Sequence, residues 1–308
     1  MTTLLISDPV FLGHAMPAGH PERPDRLRAV ERALATPNFT ALHREGASQG
    51  TLDLAFLAHP EDHVREIAGH SPAEGFAFLD GDTSMSPGSM PAMLAAMGSA
   101  RRAIEGVMTG EFANAFVAAR PPGHHAERET AMGFCLFNTI AIAARLAQAK
   151  GAQRIAIVDW DVHHGNGTQD IFWVDKDVLF ASSHEMPLYP GTGALDERGE
   201  YDSIVNVPLR AGDDGEVFRD AFETRIFPRV IAHQPDLILI SAGFDAHRRD
   251  PLGNLRLEAS DFAWATRRLV EIAAKTCGGR IVSLLEGGYD LEGLSTSVAA
   301  HVEALMGA

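Results

Sequence analysis

Four short apolar runs in this chain each end at a motif of titratable side chains and glycines. The runs are AFVAA, RIAIV, LILIS and RIVSLL, and the motifs that follow them are RPPGHHAE, DWDVHHGNG, AGFDAH and EGGYD. Continuous apolar runs of this kind are typical of parallel strands that helices cover on both faces. Ligands in such sheets bind beyond the carboxyl ends of the strands. The pattern therefore predicts a parallel sheet at which four motifs form one shared site.

The rest of the chain supports an α/β fold, with a central, mostly parallel sheet flanked by helices on both faces. Strands are predicted at 4–7, 115–119, 154–159, 178–182, 203–207, 237–241 and 280–285. Helices are predicted near 22–35, 91–108, 137–150, 214–232, 258–275 and 291–306. No linker, low-complexity tract or repeat marks a boundary, and the candidate site residues span 124–289. We therefore expect one catalytic domain over residues 1–308.

Composition limits the kinds of molecule that this protein is expected to bind and the compartment in which it is expected to work. The chain has 26 basic and 41 acidic residues, a formal charge of −15, which disfavours nucleic acid and anionic membranes as partners. Two cysteines, Cys135 and Cys277, lie in unrelated segments, so neither a disulfide framework nor a cysteine-rich zinc site is expected. The N-terminus does not resemble a signal peptide, and no apolar run approaches the length of a membrane span. These features favour a reducing cytoplasm.

The motif after RIAIV carries candidate metal ligands. Asp159, Asp161 and His163 alternate along the chain, and alternate residues of a strand point to one side. Asp161 and His163 form a ligand pair, and Asp245 in AGFDAH is the natural third, although an Asp after a strand also commonly caps a helix. Two carboxylates and one imidazole leave a coordination position open, which is typical of catalytic sites. This set suits Zn²⁺, Fe²⁺, Co²⁺ or Mn²⁺ alike.

The histidine pair His124–His125 follows a Pro-Pro-Gly turn. In a metal pocket, two such histidines can divide the work of general acid–base catalysis and electrostatic support. The alternatives are a surface loop or a pair of metal ligands. Asp159 and Asn166 could each accept a hydrogen bond from one imidazole and so set its tautomer.

Aromatic residues complete the candidate site. Tyr289 in EGGYD could donate its phenol to a developing oxyanion, and the alternative is a core tyrosine at a turn. Gly133, Phe134 and Tyr189 could form a slot for an extended apolar chain. Taken alone, the two aromatic residues would be interpreted as core residues.

Together these motifs resemble the histone deacetylase family over nearly the whole chain. The segments that carry the resemblance occur in the family's order: HPERPDRL (20–27), RPPGHHA (120–126), GFCLFN (133–138), DWDVHHGNGTQ (159–169), YPGTG (189–193), SAGFDAH (241–247) and EGGYD (286–290). The chain resembles the bacterial histone deacetylase-like amidohydrolases in particular. The resemblance implies a single arginase/deacetylase-type domain.

The resemblance also implies a role for each site residue. Zinc would be held by Asp161, His163 and Asp245. His125 would act as general base and acid, His124 would assist with Asp159, and Tyr289 would stabilise the oxyanion. The Gly133 carbonyl would accept the substrate amide, between Phe134 and Tyr189. A potassium ion would use Asp159, Asp161, Ser182 and the backbone of His163.

Local details refine the expected substrate. Asn166 stands at a position where one branch of the family has Asp. The asparagine makes this chain more similar to the class II branch. Leu252 stands where polyamine deacetylases carry a selective Glu, and Thr139 replaces a common Asn at a packing position. We expect removal of an acetyl or other short acyl group from N-acyl-lysine in a protein or peptide, or from a related amine.

Other functions remain as alternatives. The first is an acetylpolyamine or other small-molecule amidohydrolase. An arginase-like binuclear manganese enzyme would need more Asp and His ligands, and a non-catalytic binder would not need His124, His125 and Tyr289 together. The resemblance leaves the assembly open, and a homo-oligomer is one of the options.

Overall fold

The computed structural model describes residues 2–307 and contains all seven predicted strands. The strands are β1 (Thr3–Ile6), β2 (His43–Glu45), β3 (Ala77–Phe78), β4 (Ser84–Met85), β5 (Asn114–Val117), β6 (Ile155–Asp159), β7 (Val178–Glu185), β8 (Ile204–Leu209), β9 (Leu237–Ala242) and β10 (Ile281–Leu285). The sequence did not predict β2, β3 and β4, which lack a buried apolar run. β2 has exposed, polar residues, and β3 and β4 are two residues long.

Eight strands form one sheet in the order β2-β1-β5-β10-β9-β6-β7-β8, and all neighbouring pairs within it are parallel. The predicted α/β class is therefore confirmed. The four strands that carry the motifs, β5, β10, β9 and β6, are consecutive at the centre of the sheet. Asp159 at the end of β6 is in register with Ser241 of β9, so the motifs that follow start from one edge. This arrangement brings the predicted site together.

Helices flank the sheet in two groups. They are α1 (Asp25–Leu34), α2 (Glu61–Gly69), α3 (Ser89–Met108), α4 (Thr139–Ala149), α5 (Asn166–Phe172), α6 (Gly215–Ala221), α7 (Phe227–His233), α8 (Ala259–Thr276) and α9 (Leu291–Met306). One group pairs α3 with α4, and the other packs α9 against α1 and α8. The sequence missed the short helices α2 and α5. Across residues 2–307, no helix has the length and apolar content needed to cross a bilayer.

The predicted helix at 214–232 differs from the structure. It divides into α6 and α7, which a π-helical segment at Phe222–Ile226 separates. Pro228 lies in the first turn of α7 and has no amide hydrogen, so regular α-helical hydrogen bonding cannot run through this point. Elsewhere, Thr139 is buried at the first position of α4.

Candidate active site

Asp161, His163 and Asp245 converge at the carboxyl end of the sheet. Their ligand atoms lie within 4.8 Å of one another, and all three residues are buried. His163 Nδ1 lies 3.2 Å from Asp161 Oδ1 and 3.1 Å from Asp245 Oδ2. The predicted trio is therefore assembled as a candidate metal site.

The alternative role of Asp245 as a helix cap is wrong. The next α-helix along the described chain, α8, has Glu258 at its N-cap. Asp245 Oδ1 instead accepts a hydrogen bond from the Val162 amide at 2.8 Å. This contact joins the loop after β9 to the motif after β6, and it leaves Oδ2 directed at His163.

The surroundings of the trio fit a bound cation. Burial opposes ionisation of Asp161, but the imidazoles of His124 and His163 outweigh it and lower the pKa of the carboxyl. Burial raises the pKa of Asp245 to about 7. Burial lowers the pKa of His163, but its hydrogen bonds to the carboxylates of Asp161 and Asp245 outweigh burial and raise that pKa to about 10. Two buried carboxylates around one imidazole form a concentration of negative charge that a metal ion would neutralise.

Gly287 forms one wall of this site. A Cβ atom at Gly287 would overlap Asp245 Oδ2 and Asp161 Oδ2. Its amide donates a hydrogen bond to Asp161 Oδ2 at 2.8 Å. The backbone of the EGGYD motif therefore approaches the candidate ligands as closely as only glycine permits, and the donor set keeps the size and chemistry that a single metal ion requires.

The histidine pair is buried beside the trio, with ring centroids 4.0 Å apart. His124 Nδ1 lies 2.9 Å from Asp159 Oδ2, and His125 Nδ1 lies 2.8 Å from Asn166 Oδ1. Both imidazoles therefore have the hydrogen-bond partners that the sequence indicated. The surface-loop alternative for this pair is wrong because both side chains are buried.

The two histidines have opposite electrostatic surroundings. Burial lowers the pKa of His124, but the carboxylates of Asp161 and Asp159 outweigh burial and raise it well above 6.5. Burial, reinforced by the neighbouring His124 and His163, lowers the pKa of His125 well below 6.5. Environments that separate the pKa values of adjacent groups assign them different proton-transfer roles. His125 is the neutral member of the pair and His124 is the cationic one.

A cavity of about 250 Å³ reaches this site from the surface. Its walls contain every residue predicted to contact substrate, and the complete lining is Asp82, His125, Gly133, Phe134, His163, Leu188, Tyr189, Leu252 and Tyr289. The ring centroids of His125 and Tyr189 are 5.1 Å apart, and those of Phe134 and Tyr289 are 5.9 Å apart. Because Phe134 and Tyr189 line the cavity, their interpretation as core aromatics is wrong.

Tyr289 lines the cavity, and a buried arginine contacts its ring and the backbone beside it. Burial raises the pKa of its phenol well above 10, so the hydroxyl remains protonated and can donate a hydrogen bond. Arg26 lies 4.8 Å from the centre of the Tyr289 ring and donates hydrogen bonds to the Gly288 carbonyl at 2.6 Å and the Glu286 carbonyl at 2.5 Å. Arg26 belongs to the N-terminal motif HPERPDRL, for which the sequence indicated no local role. Through Arg26, this motif supports the loop of residues 286–290 that carries Tyr289, called the tyrosine loop below.

Sequence reasoning missed two acidic residues at the site. Glu286 is buried, and its Oε2 accepts hydrogen bonds from the amides of Gly123 at 2.7 Å and His124 at 3.2 Å. Burial raises the pKa of Glu286 to about 7. Asp82, on the segment between β3 and β4, contributes a carboxylate to the cavity wall. Glu286 is a titratable residue inside a motif already singled out, which is the signal that could have found it.

Two of the residues predicted to hold potassium are adjacent on β6 and β7, and Asp161 and His163 lie in the segment that follows β6. Asp159 and Ser182 are partners in the sheet register. Asp159 Oδ1 accepts a hydrogen bond from the Asp161 amide at 3.0 Å, and Ser182 Oγ lies 2.9 Å from His184 Nδ1. The potassium ion itself stays a prediction.

A parallel α/β sheet with a buried Asp-His-Asp trio, a histidine pair and a cavity between aromatic walls has the features of a hydrolase with a candidate metal site. The histone deacetylase domain model matches residues 20–305. The chain is 40% identical over 297 residues to histone deacetylase 15 of Arabidopsis thaliana, and this alignment covers 94% of the chain and 53% of that protein. It is 35% identical to the histone deacetylase-like amidohydrolase of Pseudomonas aeruginosa, over 94% of the chain and 78% of the relative.

A solved structure agrees with these sequence matches. The crystal structure of the HDA15 HD domain superimposes with a TM-score of 0.94 at 38% identity, covering 99% of this chain and 88% of that one. The chain therefore belongs to the histone deacetylase family, as its motifs predicted.

Proposed function

We propose that this protein is a zinc-dependent amidohydrolase that removes an acetyl or other short acyl group from N-acyl-lysine or a related N-acyl amine. The observation that carries the proposal is that the paired imidazoles of His124 and His125, with Asp159 and Asn166 as their hydrogen-bond partners, lie beside the Asp161-His163-Asp245 trio. A site that only bound acyl groups would not need a neutral imidazole next to a cationic one.

Zinc is the metal of this proposal, with Asp161, His163 and Asp245 as its ligands. Zinc bound there would act as a Lewis acid toward the acyl carbonyl and an attacking water. The two carboxylates and one imidazole supply hard and borderline donors, which suit Zn²⁺ and also Fe²⁺.

His125 is the proposed general base and acid. Its depressed pKa leaves the imidazole neutral, so it can accept a proton from water as oxygen attacks the acyl carbon. The same proton then passes to the nitrogen of the leaving amine as the carbon–nitrogen bond breaks. The carboxylic acid and the amine released in this way exchange one proton, which leaves a carboxylate and an ammonium group. Asn166 accepts a hydrogen bond from Nδ1 of His125, so Nε2 is free to carry the proton.

His124 and Tyr289 complete the proposed chemistry. The cationic His124, paired with Asp159, stabilises negative charge that develops on the reacting oxygen atoms. The protonated phenol of Tyr289 donates a hydrogen bond to the same oxyanion. The acyl-lysine stem would lie between Phe134 and Tyr189, with its amide directed at the Gly133 carbonyl.

Hydrolysis of acetylpolyamines or other small acylated amines is the second candidate, and Asp82 is the observation that favours it. A carboxylate at the cavity wall would attract a free ammonium group on the substrate. Leu252 lines the same cavity without charge, which favours lysine substrates instead. The arginase-like alternative is less suited, because the described residues provide one cluster of candidate metal ligands rather than two.

Several further features belong to the proposal. They are one catalytic domain over residues 1–308, a cytoplasmic location and a potassium ion held by Asp159, Asp161, Ser182 and the backbone of His163. A homo-oligomer is one of the assemblies that the proposal allows, and nucleic acid and membranes are not among the proposed partners.

The test compares hydrolysis of an acetyl-lysine peptide, N-acetylputrescine and N-acetylcadaverine by the zinc-loaded protein. We expect the peptide to have the highest kcat/KM. Preference for the acetylated diamines would assign the protein to the polyamine group despite Leu252. Absence of turnover with all three substrates, with zinc confirmed as bound, would contradict the proposed deacetylation.

A further inference from the structure

The buried carboxylate of Asp250 connects the two loops that form one side of the cavity mouth. One loop follows β9 and carries Leu252, and the other follows β10 and carries Tyr289. Asp250 Oδ1 accepts a hydrogen bond from the Leu252 amide at 3.0 Å. Asp250 Oδ2 accepts hydrogen bonds from the amides of Tyr289 at 2.6 Å and Asp290 at 3.2 Å. Both carboxylate oxygens therefore have backbone partners.

The tyrosine loop, residues 286–290, contains two glycines that restrict its backbone little. Gly287 and Gly288 precede Tyr289, and Gly288 has a φ angle of 120°, which only glycine adopts readily. Arg26 binds the loop from one side through the carbonyls of Glu286 and Gly288. Asp250 binds it from the other side through the amide of Tyr289 itself.

We propose that Asp250 is a positioning residue, which places the Tyr289 hydroxyl for the reaction by holding the Tyr289 amide. This inference rests on the proposed function, because it assigns Asp250 a role through the phenol. Among residues 2–307, Asp250 makes no ion pair, so three amides provide the hydrogen bonds to its buried carboxylate. A buried carboxylate needs such donors, and a neutral side chain with one acceptor could not serve both loops.

The substitution Asp250→Asn separates the two contacts. Asparagine forms the same turn with the amide two residues later, so the bond to Leu252 is kept. Its NH₂ group then faces the amides of Tyr289 and Asp290, where a donor meets donors. The variant therefore releases the tyrosine loop while it leaves the loop of Leu252 in place.

The expected result is a split between kcat and KM for the acetyl-lysine peptide. A displacement of about 1 Å can cost up to about 100-fold in rate, so we expect kcat to fall about tenfold or more. We expect KM to change by less than about threefold, because the cavity walls keep their positions. An unchanged kcat would overturn the proposal.

The Tyr289→Phe background separates positioning from general structural support. If Asp250 acts through the phenol, Asp250→Asn should change kcat by less than about threefold once the hydroxyl is absent. An equal loss in both backgrounds would show that Asp250 acts independently of Tyr289, and this would overturn the proposal.

Two control variants are matched to Asp250→Asn. One changes another contact between the two loops, and the other makes the same Asp-to-Asn change elsewhere in the protein. Arg249→Ala removes the ion pair with Asp290, which joins the two loops without touching the Tyr289 amide. Asp214→Asn changes a carboxylate that caps α6 outside the cavity lining. We expect both variants to keep the kcat of the wild type. A loss in Arg249→Ala as large as that in Asp250→Asn would overturn the specific role of Asp250.

Hydrogen exchange of the segment 286–291 gives a readout that does not depend on activity. In the zinc-loaded protein, Asp250→Asn should accelerate exchange of the Tyr289 amide, because that amide loses its acceptor. Unchanged exchange would overturn the proposal even in an active enzyme. A wild type that hydrolyses no acyl amide would instead contradict the proposed function, and the exchange result would still decide whether Asp250 holds the loop.

Discussion

The buried histidine His301 should make the protein sensitive to mild acid. His301 lies on α9 with no exposed surface, and its ring nitrogens lie 2.6 Å from Thr266 Oγ1 and 2.9 Å from Ser283 Oγ. Burial lowers the pKa of His301 from 6.5 to about 3. The folded protein therefore keeps this imidazole neutral at a pH where the unfolded chain has already taken up a proton.

The size of the effect follows from the difference in pKa between the two states. Since the folded pKa is depressed, the contribution to stability is complete above pH 6.5 and is lost as the pH falls toward 3. Each pH unit in this window is worth about 1.4 kcal/mol. Between pH 7.5 and pH 4.5, two of the three units lie below 6.5, so His301 should remove roughly 3 kcal/mol from the free energy of unfolding.

The assay is urea unfolding at pH 7.5 and pH 4.5 of the wild type and of His301→Gln, both free of metal. Glutamine can still bond Thr266 and Ser283 but does not titrate, so the free energy of unfolding of the His301→Gln variant should fall by roughly 3 kcal/mol less than that of the wild type between the two pH values. His70→Gln, at an exposed position, is the control and should behave as the wild type. An equal fall in the wild type and in His301→Gln would refute the reasoning.

Three further substitutions test the site. Tyr289→Phe should lower kcat by about 100-fold, the cost of one oxyanion donor, and leave zinc content unchanged; unchanged turnover would exclude that role. Asp245→Asn should weaken zinc binding measured by competition with a chelator, because one anionic ligand is lost; wild-type affinity would contradict its place in the trio. Gly287→Ala should also weaken zinc binding, because its Cβ would overlap two candidate ligands; Gly69→Ala, where a Cβ has open space and the backbone is helical, is the control.

The apolar runs of the sequence were sufficient to predict the sheet. The four central strands are continuous and apolar, and each is buried in the structure. The strand β2 could not be predicted in this way, because His43, Arg44 and Glu45 are polar and pair at the edge of the sheet. The π-helical segment before Pro228 depends on how two helical turns join, which periodicity does not encode.

The residues of the candidate site also fall into two groups, those that the sequence could predict and those that it could not. The metal trio and the histidine pair follow from strand ends that parallel pairing brings to one edge, and the sequence shows those ends directly. Contacts between loops do not follow from this rule. Asp250 and Asp82 reach the site through loop conformations, and only the structure places their carboxylates against the tyrosine loop and the cavity wall. Glu286 directly follows β10 and could have been predicted from its motif, but its hydrogen bonds to the amides of Gly123 and His124 are seen only in the structure.

The most direct test of the proposed hydrolysis is acetate release from an acetyl-lysine peptide by the zinc-loaded wild type and by His125→Ala, with zinc content measured in both. We expect both proteins to hold one zinc ion and the variant to lose about 100-fold or more of the rate, because the general base is missing. Equal rates in the two proteins would contradict the assigned chemistry, and so would a zinc-loaded wild type that releases no acetate.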